Sequence, residues 1–306
     1  MRLLARETAA EAARARPAGR CVASALVLCG WFAAAGPCGG GEAERPQLWF
    51  AVGETLTYQI YWGVLPVGQA RVWTEWVEEE PGRPLVAIRV TIRTGSVLDK
   101  VYPVDDFLET VVDPATFLPL RYTRRVSEGR YRLHEQTTFD HGSLEAHWKH
   151  LTKGDTETFA IEADTRDMLS FMYYMRSQPL EPEREYSFKV MADEKVHAIK
   201  VRTRKAENIN LSSFGWVESL RVEPVKEVGG VLARAVRASM WVSRDARRLC
   251  AKASVSVPVA SVNAYLKKVE GGADDFWANP GRYRRLKSGE LERIEGGEAA
   301  SDEGGN

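Results

Sequence analysis

The stretch VAIRVTIR, Val86 to Arg93, decides the fold. Val86, Ile88, Val90 and Ile92 fall on one side of an extended chain; Arg89, Thr91 and Arg93 fall on the other. Side chains of a strand alternate between its faces, so this period of two describes a strand with one buried and one wet face. The same period extends in both directions. Leu56, Tyr58, Ile60 and Trp62 share a face upstream. Downstream, Ala251, Ala253, Val255, Val257 and Val259 alternate with Lys252, Ser254 and Ser256.

Turn residues separate these runs: Glu80-Pro81-Gly82, Asp113-Pro114, Glu128-Gly129, His141-Gly142, Lys153-Gly154 and Gly229-Gly230. Glycine, proline and short polar side chains suit tight reversals. Residues 165–177 (TRDMLSFMYYMRS) break the pattern, placing Met168, Phe171, Met172 and Met175 at helical spacing. Asp164 or Thr165 can cap this helix, and Pro179 prevents its continuation. The expectation is a mainly β fold: an antiparallel meander forming an open or closed β-barrel, or a strongly curved sandwich. One short helix is packed on it or in it.

The 306 residues divide unevenly. Arg2, Arg6, Arg14, Arg16 and Arg20 form a basic lead, followed by the apolar run VASALVLCGWFAAAG, Val22 to Gly36. Basic lead, short apolar core and small-residue exit describe a signal peptide over residues 1–36, and hence Sec-type export to the periplasm or cell envelope. The run is too short to span a bilayer. Residues 37–49 read as a linker, 50–270 as the β domain, and 271–306 as a linker and disordered tail rich in Glu, Gly, Ser and Asp. Cys38-Gly39-Gly40-Gly41 is like the start of a lipoprotein, although Pro37 stands where such sites want a small residue. Simple cleavage near Ala35 or Gly36 and lipidation at Cys38 are the two alternatives. Cys250 is the lone cysteine of the domain, so no internal disulfide holds the fold.

Hydrophobic residues make up 44% and charged residues 27%, with 42 basic and 42 acidic side chains. Zero net charge offers no electrostatic capture of nucleic acid. Cofactor motifs and nucleophile elbows are absent from the sequence, and no cofactor is expected. His141, His147 and His150 are metal-like in composition. Yet His147 and His150, three apart in a strand, face opposite ways, and no metal site is expected. An enzyme would need Asp105, Asp106 or Asp167 to converge with Arg176 in one cleft.

Aromatic residues are more suggestive. Trp62, Trp73 and Trp76, with the helical residues Met168, Phe171, Met172 and Met175, could line an apolar ligand site, although core packing accounts for the same residues. The leading expectation is a non-catalytic binder or carrier of a lipid, glycolipid or other apolar ligand. The alternative is a structural or assembly factor in outer-membrane or surface-polysaccharide biogenesis, acting through an envelope protein partner. Oligomeric state is open.

Several local patterns, taken together, resemble a known family. They are GETLTY (Gly53 to Tyr58), WGVLPVGQA (Trp62 to Ala70), YPVDDF (Tyr102 to Phe107) and FLPL (Phe117 to Leu120). DMLSFMYYMR (Asp167 to Arg176), WVSRDARR (Trp241 to Arg248) and VPVASV (Val257 to Val262) complete the set. Over about residues 50 to 268 the chain resembles the bacterial exported proteins catalogued as domain of unknown function 3108 (DUF3108). The resemblance implies an envelope location and a barrel-like β fold, and brings no reaction or catalytic residue. One departure is Ser212-Ser213-Phe214-Gly215, where members often carry a Gly-Thr-Phe turn.

Overall fold

The computed structural model describes residues 45–192, 194–225, 237–256, 261–285 and 291–294. The expected signal peptide, Cys38, the Gly229-Gly230 turn, Val257 and Val259, and the acidic tail lie outside the described residues.

Alternation along the chain becomes strands. In order they are β1 (Thr55–Trp62), β2 (Leu65–Glu78), β3 (Pro84–Thr94), β4 (Asp105–Val112), β5 (Pro119–Glu128), β6 (Tyr131–Asp140), β7 (Glu145–His150) and β8 (Thr156–Ala160). After a helical connection come β9 (Glu185–Ala192), β10 (Lys195–Leu211), β11 (Gly215–Pro224), β12 (Arg237–Ser243), β13 (Cys250–Ser256) and β14 (Ser261–Glu270). The α-helices among the described residues are α1 (Ser96–Asp99) and α2 (Met168–Met175), and a short 3-10 helix covers Pro280–Arg282.

These strands form one antiparallel sheet in the order 8-7-6-5-4-3-2-1-14-13-12-11-10-9. Two runs of hairpins are joined through β1 and β14, so the first and last strands lie side by side within the sheet. Register shifts at Thr57/Tyr58, Ile60/Tyr61, Val111/Val112 and Trp241/Val242 mark bulges, which bend strands and increase twist. At the turn into β11, Gly215 has φ +67, a conformation that glycine adopts without Cβ strain.

The sheet rolls up without closing. Its free edges, β8 and β9, share no ladder; side chains and one short bridge span the seam instead. The amide of Arg166 donates to Lys189 O at 2.9 Å, and the amide of Met191 donates to Arg166 O at 2.8 Å. Lys189 also pairs with Glu162. Met191 packs with Phe139, Ala146 and Ile161, which belong to the opposite edge. The expected meander is therefore an open barrel.

Helix α2 lies inside the roll. Phe171 and Met175 pack with Phe188, Val190, Val201, Val222 and Val242 on one wall, while Tyr173 packs with Val86, Ile88 and Val112 on the other. Its cap is Asp167, three residues beyond Asp164. Thr165 is committed elsewhere: its hydroxyl accepts the amide of Glu162 and closes the preceding turn. Asp167 accepts from the amides of Leu169 and Ser170, and from the hydroxyls of Ser170 and Thr110 at 2.7 Å each. Among the described residues no helix is long and apolar enough to cross a membrane.

The reading of residues 37–49 and 271–306 as linkers needs correction where they are described. Leu48, Trp49 and Phe50 pack against Phe117 and Tyr173, and the indole of Trp49 donates to Tyr173 O at 2.9 Å. Beyond β14, Trp277 is buried among Leu211, Phe214 and Leu249. Composition suggested a solvated segment because Gly and Asp dominate it; one tryptophan with a prepared socket outweighs that average. Phe276 and Tyr283 flank it, and a small hairpin, β15 (Tyr283–Arg285) with β16 (Leu291–Arg293), follows. Trp277→Ala is expected to cost about 3–5 kcal/mol, as for large core truncations. Urea unfolding of the variant beside the parent measures it; an unchanged midpoint would show that the segment contributes nothing to the core.

Candidate functional site

The two ends of the roll differ. The end from which β1 sets out is stoppered by residues 45–54, the carboxyl end of α2 and residues 271–277, and a buried ion cluster holds them together. Glu54 is fully buried and accepts from Arg176 Nη1 at 2.5 Å and from Arg247 Nη2 at 3.1 Å. Arg176 also donates to the carbonyl of Arg247, and Arg247 reaches Asp275 at 3.3 Å. Arg248 donates to the carbonyls of Arg176 and Gln178. Burial pushes the Glu54 carboxyl upward, but the two guanidinium groups outweigh burial and hold it below the ordinary glutamate value.

The acidic residues considered for catalysis do not converge here. Asp167 is engaged in its cap, where burial raises its carboxyl despite the hydrogen bonds that oppose this. Asp105 pairs with Arg93, and Asp106 accepts the amide of Ser127 at 2.8 Å. Arg176 pairs with Glu54 instead. His147 is exposed and His150 buried, on opposite faces of β7. Burial pushes the Cys250 thiol up to about 12, well above a reactive range.

At the other end, the inner wall is uncovered among the described residues. Trp62 pairs with Val262 across β1 and β14, Val262 with Val255 across β13, and Trp62 with Leu65 across β2. Directly paired residues project to the same side. Trp62 and Val262 lie four residues from the buried pair Tyr58 and Leu266, in phase with the core. The row Leu65–Trp62–Val262–Val255 therefore faces inward, yet its members remain 63%, 46%, 36% and 37% exposed. It is an open furrow on a concave wall. Four adjacent apolar residues are thus left wet on one wall.

The residues expected to bind ligand separate into groups. Trp62 belongs to this row. Phe171 and Met175 are core, with Met175 only 1% exposed, while Met168 and Met172 are half-buried and pack against the same cluster as Met240. Trp73 faces outward, between Phe107 and the guanidinium of Arg71 at 5.3 Å. Trp241, buried with its indole N–H on Glu207, and Tyr265, packed against the Leu56–Leu266 cluster, share the Lys252 ammonium at 4.2 and 5.1 Å. Cations laid over these rings, with the packing around Trp241 and Tyr265, give them partners within the fold. Trp76 lines a cleft of about 490 Å³ with residues 46–52, Arg247 and Gly272. A second cleft of about 460 Å³ is lined by Phe214, Trp216, Phe276 and Tyr283. Both clefts are at the stoppered end, away from the row.

Sequence reasoning passed over Glu54, Arg247, Leu65, Val255 and Val262 as partners. Glu54 and Arg247 did carry a signal, since the GETLTY, DMLSFMYYMR and WVSRDARR stretches are the three that meet in the ion cluster. An open antiparallel roll with an internal helix, stoppered at one end and apolar at the other, defines a barrel-like β protein. The chain belongs to the family described as Protein of unknown function (DUF3108), whose model matches residues 57–267. No curated protein matches it. Among solved structures it is similar to a beta-barrel-like protein of domain of unknown function DUF1849 from Brucella abortus, at 12% identity and a TM-score of 0.50. That match covers 73% of this chain and 99% of the other, a likeness of fold. A DUF1089 family protein from Pseudomonas aeruginosa matches at 10% identity over 61% of this chain and 89% of its own, with a TM-score of 0.32. A Bacteroides fragilis protein with a YmcC-like fold matches at 10% over 72% and 97%, with a TM-score of 0.29.

Glu54→Gln leaves Arg176 buried without its carboxylate, an expected loss of about 3–5 kcal/mol at neutral pH. A carboxylate with a lowered folded pKa contributes stability above its unfolded pKa and loses it as pH falls through the folded one. The gap between parent and variant should therefore narrow below about pH 4, the ordinary glutamate range. Denaturation midpoints across pH measure this, and a gap constant down to pH 2 would contradict it.

Proposed function

We propose that this is an exported envelope protein that holds the apolar chain of a lipid or glycolipid at the open end of its rolled sheet, without catalysis. The observation that carries the reading is the inward row Leu65–Trp62–Val262–Val255, wet on a concave wall. Strands β1, β13 and β14 are each paired on both sides, so their backbone donors and acceptors are already engaged in ladders. A peptide laid on this wall would leave its own amides unsatisfied, whereas an alkyl chain has none to satisfy. The basic-apolar-small leader supports delivery to the envelope, and lipidation at Cys38 would tether the protein there.

A second reading, assembly through protein contacts, is favoured by the hairpin tip beside the row. Val64 is 89% exposed, and Val101 and Tyr102 are exposed on the loop docked to that hairpin through the Gly95 amide and Val67 O. A photocrosslinker at position 64 in cells, combined with mass spectrometry of lipid extracts from purified protein, separates the two. Carriage of lipid predicts a co-purifying amphiphile. Trp62→Ala should weaken its binding about tenfold or more, given about 1.5–3 kcal/mol for a buried large apolar side chain. A stable crosslinked protein neighbour with no amphiphile in the extract would move the assignment to assembly.

A further inference from the structure

We infer that the cleft of about 460 Å³ at the stoppered end binds an unbranched glycan, stacking its pyranose rings on aromatic side chains. This is a second site, remote from the open-end row and independent of the lipid reading. Its aromatics come from two segments that the fold brings together. Phe214 and Trp216 flank Gly215 where β10 turns into β11, and Phe276 and Tyr283 follow β14. Trp277 ties the two segments. Its ring lies 4.9 Å from Phe214 and 5.4 Å from Phe276, and its indole donates to Asp245 at 3.0 Å. Phe276 in turn meets Phe214 at 6.0 Å and Tyr283 at 6.1 Å. A buried tryptophan thus holds the floor, so the cleft is shaped before any ligand arrives.

Trp216 is the part of this cleft that the fold leaves unused. It is 58% exposed, and Leu291, which lines the same cleft, is 39% exposed. Trp73, Trp76 and Trp241 each carry a cation over the ring. Among the described residues, Trp216 has neither a cation over its ring nor a second ring against it. Gly215 and Gly281 also line the cleft, and at both nothing stands within 4 Å of where a Cβ would be. A flat ring can therefore come close to the backbone beside Trp216.

The polar groups beside the cleft decide the class of ligand. A pyranose ring carries C–H groups on its faces and hydroxyls around its edge. The faces suit the electron-rich face of an aromatic ring, and the hydroxyls need partners that both donate and accept. Such partners stand beside Tyr283. Its hydroxyl donates to the Asp274 carbonyl at 3.4 Å, and Arg293 lies directly opposite it in the β15–β16 hairpin. The Asp274 carboxylate accepts from Asn279 at 2.6 Å, Arg282 at 3.4 Å and Arg293 at 2.9 Å. Asp274, Arg282 and Arg293 all stay more than half exposed, so each has capacity left for a ligand. A carboxylate held between guanidinium groups offers charge-assisted acceptor and donor together to neighbouring hydroxyls. An alkyl chain would strip water from this cluster and replace none of its hydrogen bonds. A proline-rich segment presents carbonyls but few N–H groups, and leaves the carboxylate without a donor.

The test titrates the full mature protein by calorimetry with maltotetraose, cellotetraose, chitotetraose and a decaproline peptide. Saturable binding of a tetrasaccharide is expected, and none of decaproline. Trp216→Ala should weaken the sugar about tenfold or more. Its unfolding midpoint should stay unchanged, because this side chain is mostly wet. Asp274→Asn removes the charge that assists the hydroxyl contacts and should also weaken binding. Gly281→Leu should crowd the cleft without displacing any neighbour, and decides the matter if Trp216→Ala proves unstable. Trp62→Ala, at the other end of the roll, should leave sugar binding intact. Dodecyl maltoside below its micellar concentration, run beside maltotetraose, names the source of the sugar. Equal affinity means a free glycan, and a preference for the alkylated sugar that survives Trp62→Ala means a glycolipid head. The assignment is overturned if no saccharide binds, if decaproline binds instead, or if Trp62→Ala abolishes sugar binding and Trp216→Ala does not. Each of these leaves lipid carriage at the open end standing.

Discussion

The ion cluster around Glu54 is the contact on which the arrangement of this protein depends. Its members come from the strap before β1, the end of α2, the β12–β13 turn and the segment after β14, all far apart in the chain. A buried carboxylate with two guanidinium partners adds little net stability compared with well-packed apolar residues, but removing one partner is costly. Its contribution is positional. The cluster holds the helix with its Met175 side against β9–β12, and it makes one end of the roll a closed floor.

That floor gives the open end its character. A fourteen-stranded sheet rolled around one eight-residue helix has more inner wall than the helix can cover. The covered part includes Val190, Val201, Val222 and Val242. The part left over is the upper wall of β1, β2, β13 and β14, where Trp62 and Val262 stay wet. Exposed apolar area on a convex surface is ordinary, but on a concave wall it forgoes packing that a folded chain would otherwise take up. The seam between β8 and β9 has a related origin. Arg166 and Glu162, on the approach to α2, occupy the edge of β9 where β8 would have to pair.

The cation-covered aromatics show how the same residue types can answer a different need. Trp73 and Trp241 are as large as Trp62, yet each has a cation laid over its ring. Partners for Trp62 come instead from neighbouring strands and share its exposure. Counting aromatics along the first hairpin does not separate these cases, since a shift of one residue exchanges the faces.

Much of the fold was legible in the sequence, because period two is a local property: alternation in Val86 to Arg93 assigns faces whatever the partner strand. The helix, with its Met and Phe spacing, was legible for the same reason. The segment around Trp277 was misread, since composition averages over neighbours and cannot see a socket built by Leu211 and Leu249. Of the exposed row Leu65–Trp62–Val262–Val255, only Trp62 had been singled out from the sequence. Placing β1 beside β14, closing Glu54 onto Arg176 over 122 residues of chain, and aligning Ala253 with Ala264 beneath Val255 and Val262 are matters of long-range register. Only the tertiary structure decides these, because pairing partners are chosen by the packing of the whole roll and not by the residues on either side.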